Sequence, residues 1–496
     1  MHFNSIEFIV FFPIVGLIYY LLPHRYRWGI LLISSYVFYM YAEPRYLILI
    51  LLTTLASYLA GLKMGEMPDG KKRKALLYIT ILLPLILLFI YKYLSFAASI
   101  TNNVLDILHL SCHLPRLSFL LPVGISFYTF QIVSYCVDIY LRRIKPEPHL
   151  GYYALYISFF PKLIAGPIER PGKALPQLRQ VRPFLPENLS AGLLKMGWGF
   201  YKKMVVADRL APIVNSVFDQ PDLSSPLSLL LGAFLFGYQI YCDFSGYTDI
   251  ALGAARVLGI KLSENFNHPY SSQSIAEFWQ RWHITLTQWF RDYIYLPLTR
   301  KRLSRGGNKY VKHLLDYNII LVFLISGVWH GANWTYIIWG GLHGLYLFFG
   351  NWIYAVKYKS PFPGVLDRIP TINKMIRLVI TFTLVSLAWI FFRAETISQA
   401  FNILARIFSM DIFVNPSLHS IIYHQPNPVL ALIDILIVLV AITALEITQY
   451  IQRSGLDWVK FQQSPLWVRF TIYISLALVV INLSVISETP FIYFNF

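Results

Sequence analysis

Long apolar runs alternate with short polar stretches along the whole chain. The runs fall at 6–22, 46–62, 76–94, 117–140, 227–241, 334–355, 378–392, 429–450 and 467–486. Many of them approach the ~20 residues that a helix needs to cross the hydrocarbon of a bilayer. We predict that each run is a membrane helix, because a helix satisfies its own backbone hydrogen bonds in lipid.

Two stretches, 161–226 and 261–316, interrupt this pattern because they are rich in proline, glycine and charge. We expect them to be re-entrant, interfacial or cytosolic, since irregular backbone at membrane depth must be buried in protein or reached by water. The predicted fold class is therefore all-α, a polytopic membrane bundle of roughly a dozen helices. We expect a single domain, 1–496, with N-terminal spans in 1–150, a core in 151–345 and C-terminal spans in 346–496.

Composition and charge agree with a membrane location. Hydrophobic residues make up 56% of the chain and charged residues 14%, against roughly 25% charged in an average soluble domain. The net charge is +17, and basic clusters fall in short loops at 24–27, 71–74, 142–143 and 300–302. By the positive-inside rule we place these loops in the cytosol and both termini outside. The same clusters would attract anionic lipids, and nucleic acid is not an expected partner.

The three cysteines, Cys112, Cys136 and Cys242, form no CxxC pair and no metal-ligand spacing. The sequence therefore predicts neither a disulfide framework nor a metal site.

The segment 277–298, EFWQRWHITLTQWFRDYIYLPL, has helical periodicity. A continuous helix would place Trp279, His283 and Leu286 on one face and Arg281 and Asp292 on the opposite face. Two interpretations remain open from the pattern. The segment is an interfacial amphipathic helix with a hydrogen-bonded histidine, or His283 has a chemical role.

The segment 317–344, YNIILVFLISGVWHGANWTYIIWGGLHG, places a histidine inside the membrane. A helix from Tyr317 to Val328 rises about 18 Å, so His330 lies near mid-membrane, in a break made by Gly327, Gly331 and Asn333. An ionisable residue at that depth indicates function. Burial disfavours imidazolium, which leaves a neutral base able to accept a proton from a hydroxyl. The alternative is a structural histidine that ties the broken helix ends together.

Several long motifs carry a family resemblance. Besides the two segments above, they are PVGISFYTFQIVSYCVDIY at 122–140, FFPKLIAGPIER at 159–170, YQIYCDFSGYTDIALG at 238–253, ENFNHPY at 264–270 and the terminal FIYFNF. Together they resemble the membrane-bound O-acyltransferase (MBOAT) family. More narrowly, they are similar to its bacterial branch, which contains alginate O-acetyltransferase membrane subunits, peptidoglycan O-acetyltransferases and the D-alanyl transfer proteins of teichoic acids. The resemblance implies a bundle around a central passage in the bacterial cytoplasmic membrane.

The resemblance also implies roles for individual residues. His330, in the Trp-His-Gly motif, matches the family's catalytic histidine, and His283 matches a second functional position. Asp243 and Asp249 match the family pattern, with their role open between a turn or cap and a catalytic task. The two aspartates are also candidate substrate-binding residues. The full set of these candidates is Trp329, Asn333, Asp243, Asp249, Trp279 and Trp282.

The activity implied is transfer of an acyl group, with acetyl expected, from a cytosolic thioester such as acetyl-CoA, with no bound cofactor. The acceptor is a hydroxyl of an extracytoplasmic polysaccharide, in alginate biosynthesis or elsewhere in the cell envelope, or a secreted or membrane-anchored partner transferase of SGNH type. D-alanyl transfer to teichoic acid is an alternative. From a different class, a proton-coupled transporter or flippase would use His283 and His330 as a relay, but its expected repeated halves are not visible in the sequence.

Overall fold

The computed structural model of the protein describes residues 1–41, 43–115, 119–303, 317–358, 369–414, 416–423, 425–453, 464–485 and 491–492. Residues 304–316 of the predicted interruption 261–316 lie outside these ranges, as do the last residues of the FIYFNF motif. Within them every regular element is a helix, which confirms the all-α prediction.

The described ranges contain roughly twenty helices where a dozen were expected, because the stretches between the apolar runs fold into many short helices. In chain order the helices are α1 (Ile6–Leu21), α2 (His24–Met40), α3 (Leu47–Glu66), α4 (Lys71–Leu88), α5 (Leu94–Ile107), α6 (Ile125–Tyr140), α7 (Leu150–Ser158), α8 (Phe160–Leu163), α9 (Pro171–Arg179), α10 (Pro186–Phe200), α11 (Asp208–Phe218), α12 (Pro226–Val257), α13 (Ile275–Arg281), α14 (Ile284–Phe290), α15 (Leu296–Leu303), α16 (Asn318–His330), α17 (Trp334–Tyr358), α18 (Pro370–Arg393), α19 (Ile397–Ile407), α20 (Asp411–Val414), α21 (His419–Ile422), α22 (Pro428–Arg453) and α23 (Leu466–Leu483).

Six helical segments in the described ranges are long and apolar enough to cross a bilayer. The predicted span 6–22 forms a shorter helix, the 16 residues of α1. The helix predicted to end inside the membrane at His330 is the 13-residue α16. A 13-residue helix rises only about 20 Å, less than the hydrocarbon thickness. The six segments are Pro44–Glu66, Lys71–Ile107, Pro226–Val257, Pro370–Arg393, Pro428–Arg453 and Leu466–Leu483.

The chain divides into two compact units. In the described ranges the first unit contains Met1–Gly197 and Tyr247–Ser263. Its core is rich in tyrosine: Tyr135 and Tyr153 are fully buried, with ring centroids 4.3 Å apart. The Tyr153 hydroxyl lies 2.7 Å from the Ser57 hydroxyl on α3, so a buried polar group is satisfied across two helices.

The second unit contains Trp198–Gly246 and Glu264–Ile492 in the described ranges. Its central feature is the close antiparallel pairing of α16 with α17. A Cβ atom on Gly340 would overlap the carbonyl oxygen of Phe323, and one on Gly327 would overlap that of Tyr336. Small residues at a helix crossing let the two backbones approach closely, so these glycines fix α16 against α17.

The prediction of one continuous helix over 277–298 is wrong. The segment contains α13, a break at Trp282 and His283, then α14, a π-helical turn at Arg291–Tyr295, and α15. His283 has a left-handed backbone, with φ of 41°. The break is stabilised by a distant segment through two backbone hydrogen bonds. The N–H of Ile284 donates to the Asn265 carbonyl, and the N–H of Asn267 donates to the Arg281 carbonyl, both at 2.9 Å.

Candidate active site

His330 is the last residue of α16, and the chain leaves the helix directly after it. Its side chain is 2% exposed, and Nδ1 lies 2.7 Å from the carbonyl oxygen of Ser326. A carbonyl oxygen can only accept a hydrogen bond, so Nδ1 carries the hydrogen. The neutral imidazole therefore has its lone pair on Nε2, which is the atom that can take a proton.

His283 is fully buried, and Asn265 fixes its tautomer. Its Nδ1 lies 3.1 Å from Asn265 Oδ1, which also accepts the backbone N–H of Thr285 at 3.1 Å. Because a backbone N–H only donates, the facing amide atom of Asn265 is oxygen and His283 Nδ1 is the donor. Nε2 of His283 again carries the lone pair when the ring is neutral.

Trp329 connects the two histidines through ring contacts. Its ring centroid is 4.7 Å from that of His330 and 6.2 Å from that of His283. The Phe244 ring packs on His283 at 4.8 Å in an edge-to-face arrangement. The structure therefore places both candidate catalytic residues, and the candidate Trp329, in one aromatic cluster.

Trp279 and Trp282 are both in the core of the second unit. Trp279 donates its Nε1–H to Nδ1 of His343 at 3.2 Å. Trp282 is 1% exposed and packs on Phe266 and Trp389, each with centroids 5.1 Å apart. Both indoles thus support the cluster by packing.

Asn333 shapes the turn after His330. Its Oδ1 accepts the backbone N–H of Thr335 at 3.1 Å, which caps α17. Its Nδ2 donates to the Glu395 carbonyl at 2.9 Å. Both ends of the amide are therefore engaged in holding the loop between α16 and α17.

Asp243 belongs to a buried ion cluster. Lys203 Nζ lies 2.6 Å from Asp243 and 2.9 Å from Asp208, and all three side chains are at most 4% exposed. The second oxygen of Asp243 accepts the backbone N–H of Ile492 at 2.9 Å, so this carboxylate also holds the C-terminal segment. Phe491 packs beside it, with its ring centroid 4.4 Å from Lys203 Nζ.

Asp249 lies in the first unit. Its carboxylate is 3.8 Å from Lys195 Nζ, and both side chains are about one-seventh exposed, at 14% and 15%. The pair links α12 to α10.

A cavity of about 340 Å³ opens beside the histidine cluster. One face of α16 lines it with Ile319, Val322, Phe323 and Ser326, and Trp279 contributes from α13. Ser326 also supplies the carbonyl that holds His330. The cavity therefore ends one helical turn from the candidate base, and its volume suits a small-molecule ligand.

Sequence reasoning missed three residues of this site. Asn265 fixes His283, His343 accepts from Trp279, and the Trp339 ring lies 4.7 Å from that of His330. All three occur inside the motifs that carry the family resemblance. The signal that could have found Trp339 and His343 is their helical spacing of four residues, which places them on one face of α17.

An all-helical membrane protein with a buried, tautomer-fixed histidine at a helix break has the arrangement expected of a membrane acyltransferase. The chain belongs to the MBOAT, membrane-bound O-acyltransferase family, whose model matches residues 118–391. It is therefore an O-acyltransferase, and the transporter interpretation is set aside.

Among individual relatives, the chain is 37% identical to a "Probable alginate O-acetylase AlgI" of Azotobacter vinelandii over 82% of this chain and 78% of that protein. It is 31% identical to a "Peptidoglycan O-acetyltransferase" of Helicobacter pylori over 100% of this chain and 97% of that protein. A "Teichoic acid D-alanyltransferase" of Bacillus subtilis is 31% identical over 56% of this chain and 68% of that protein.

Proposed function

We propose that the protein moves an acetyl group from cytosolic acetyl-CoA across the bacterial cytoplasmic membrane to a hydroxyl of an extracytoplasmic polysaccharide or of a partner transferase. His330 is the general base. The observation that carries the proposal is the hydrogen bond from His330 Nδ1 to the Ser326 carbonyl, because it leaves Nε2 as the proton acceptor.

The reaction needs one base and one leaving group. Nε2 of His330 takes the proton of the acceptor hydroxyl, and the resulting alkoxide attacks the thioester carbonyl. When the tetrahedral intermediate collapses, the C–S bond breaks and the imidazolium returns the proton to the departing thiolate. The products are the acetyl ester and free coenzyme A.

His283 supports the same reaction from its fixed position. Its ring is held by Asn265 and Phe244 and is connected to His330 through Trp329. We assign it to orienting the donor or supporting the oxyanion. The roles of Trp329, Trp279 and Trp282 are to shape the aromatic wall around the reacting atoms, whereas Asn333 and Asp243 hold the loop and the ion cluster.

The cavity along α16 is the donor site in this proposal. Its apolar lining by Val322 and Phe323 suits the pantetheine arm of a coenzyme A thioester, and Gln280 and Arg291 add polar groups at its wall. With the basic cluster 300–302 in the cytosol by the positive-inside rule, α16 starts at the inner side, so the donor reaches His330 from the cytosol.

Acetyl is preferred over D-alanyl because of the extent of the similarity. The relatives named as O-acetylases or O-acetyltransferases match 82% to 100% of this chain, whereas the D-alanyltransferase matches 56%. A hydroxyl of alginate, of another exopolysaccharide or of peptidoglycan is accordingly the proposed final acceptor.

A partner transferase fits the surface of α19. The helix begins after Thr396, whose hydroxyl accepts the N–H of Gln399, and it buries Ala400 and Ile403. On its other face Phe401 is 53% exposed, and Phe408, directly after the helix, is 72% exposed. We propose that an extracytoplasmic, SGNH-type acetyltransferase docks near 393–428 and receives the acetyl group.

The test is cleavage of acetyl-CoA by the purified protein in nanodiscs, with mannuronate oligosaccharides as the acceptor probe. We expect thioester loss that His330→Ala abolishes. Thioester loss that is unchanged in His330→Ala would contradict the assignment of the base. Absence of thioester loss in the wild-type protein with acetyl-CoA, also when the extracytoplasmic transferase is added as acceptor, would contradict the donor.

A further inference from the structure

Trp339, on α17, is fully buried next to the proposed base. Its ring centroid lies 4.7 Å from that of His330, and the two planes meet at 71°. Trp389 stacks on the indole at 5.5 Å, and Phe392 packs edge-to-face against it at 5.2 Å. These contacts hold the indole in one orientation beside the histidine.

The Nε1–H of Trp339 donates to no acceptor among the residues that the structure describes. Trp279, whose ring lies 5.8 Å away in the same cluster, satisfies its own indole N–H on His343 Nδ1. A buried indole N–H normally finds a partner, because an unmade hydrogen bond in a protein interior is costly. The fold therefore keeps a polar group unsatisfied directly beside the base.

An indole N–H has the properties that an oxyanion donor needs. It donates a hydrogen bond but cannot accept one, so it does not compete with His330 for the proton of the acceptor hydroxyl. It is neutral, so it leaves the proton affinity of the base little changed. A donor fixed in advance in a dry site stabilises charge that appears only in the transition state.

We propose that Trp339 Nε1–H donates a hydrogen bond to the oxyanion of the tetrahedral intermediate, an inference that rests on the proposed function. When the acceptor oxygen bonds to the thioester carbon, the electron pair of the C=O double bond moves onto the carbonyl oxygen, where the indole N–H meets it. The pair returns to the carbon as the C–S bond breaks, and the proton on His330 leaves with the thiolate. Trp339 is thus a catalytic residue that exchanges no proton.

The test replaces only the N–H. At Trp339 we would introduce 3-benzothienylalanine, which has the shape of tryptophan with sulfur in place of N–H. The matched control is the same change at Trp389, which stacks on Trp339 and whose buried indole N–H likewise meets no acceptor among the described residues. The assay is the rate of acetyl-CoA cleavage in nanodiscs with mannuronate oligosaccharides. We expect kcat to fall about 10²- to 10³-fold at Trp339, with the KM for acetyl-CoA and the pH profile nearly unchanged, and kcat to be retained at Trp389.

Stability supplies a readout that a packing role would not give. Removing an unsatisfied donor should leave Tm equal to or above that of the wild type, so kcat should fall without a loss of stability. A retained kcat at Trp339, or a loss of kcat accompanied by an equal loss at Trp389 and a lower Tm, would overturn the inference. The His330→Ala variant distinguishes the two possible failures. If the proposed function is wrong, His330→Ala stays active; if only the role of Trp339 is wrong, His330→Ala is inactive.

Discussion

Replacing Lys203 by methionine tests the ion cluster that holds Asp243. The change removes the charge but keeps an unbranched side chain of similar length. Lys203 Nζ lies 2.6 Å from Asp243 and 2.9 Å from Asp208, in a site where the carboxylates are 2% and 4% exposed. After the substitution these two carboxylates face each other in the interior without their shared cation.

Removing one partner of a buried ion pair costs about 3–5 kcal/mol, because a charge is left without compensation. We expect the free energy of unfolding to fall by this amount and not by twice as much, since one carboxylate can take up a proton. The loss should be measured in detergent micelles, by following tryptophan fluorescence during denaturant unfolding. The C-terminal contact of Asp243 with Ile492 should weaken at the same time.

Lys202→Met is the matched control on the neighbouring residue. Lys202 Nζ lies 5.6 Å from the Tyr241 ring centroid, and such a cation–π contact is worth about 1–2 kcal/mol. Adding Asp208→Asn to Lys203→Met should restore part of the stability, because it removes one of the two carboxylates that lost their shared cation. A Lys203→Met protein as stable as the wild type would refute a structural role for the cluster and return Asp243 to the list of catalytic candidates.

Three further predictions follow from the site and the surface. His283→Ala should lower acetyl transfer about 10²- to 10³-fold without abolishing it, measured by acetyl-CoA cleavage, and wild-type activity would return the residue to a structural role. The native Cys112, in 95–116, should react with an impermeant thiol reagent on intact spheroplasts, whereas a cysteine placed in 63–75 of a Cys112→Ser variant should resist it; the reverse pattern would invert the proposed topology. Phe408→Glu, at the exposed position directly after α19, should reduce polymer acetylation in cells while acetyl-CoA cleavage by the purified protein is retained, and unchanged polymer acetylation would refute docking there.

The sequence predicted the features that depend on local pattern. Apolar runs such as 46–62 and 429–450 are enough to identify membrane helices, because lipid allows few alternatives to a helix. The break after His330 was also predictable, since Gly331 and Asn333 directly follow an apolar run. The predicted depth of His330 in the membrane then indicated that this histidine is functional.

Features that depend on distant residues could not be predicted. The segment 277–298 has the periodicity of one helix, yet Asn265, 18 residues before His283, captures the N–H of Thr285 and starts a new helix there. Likewise, periodicity does not reveal that Trp279 donates to His343, 64 residues away, while the Trp339 indole keeps its N–H unused. These contacts join residues that are far apart in the sequence, so no short stretch of sequence can predict them.

The most direct test of the central claim compares His330→Gln and His330→Ala with the wild-type protein. Glutamine keeps a polar amide in the site but cannot act as a base at neutral pH. Because the chain already leaves the helix directly after residue 330, both variants should fold and insert. The measurement is the O-acetyl content of the envelope polysaccharide in cells that express each variant at equal level. The account predicts that both variants fall to the level of cells without the protein, and a wild-type O-acetyl content in either variant would contradict it.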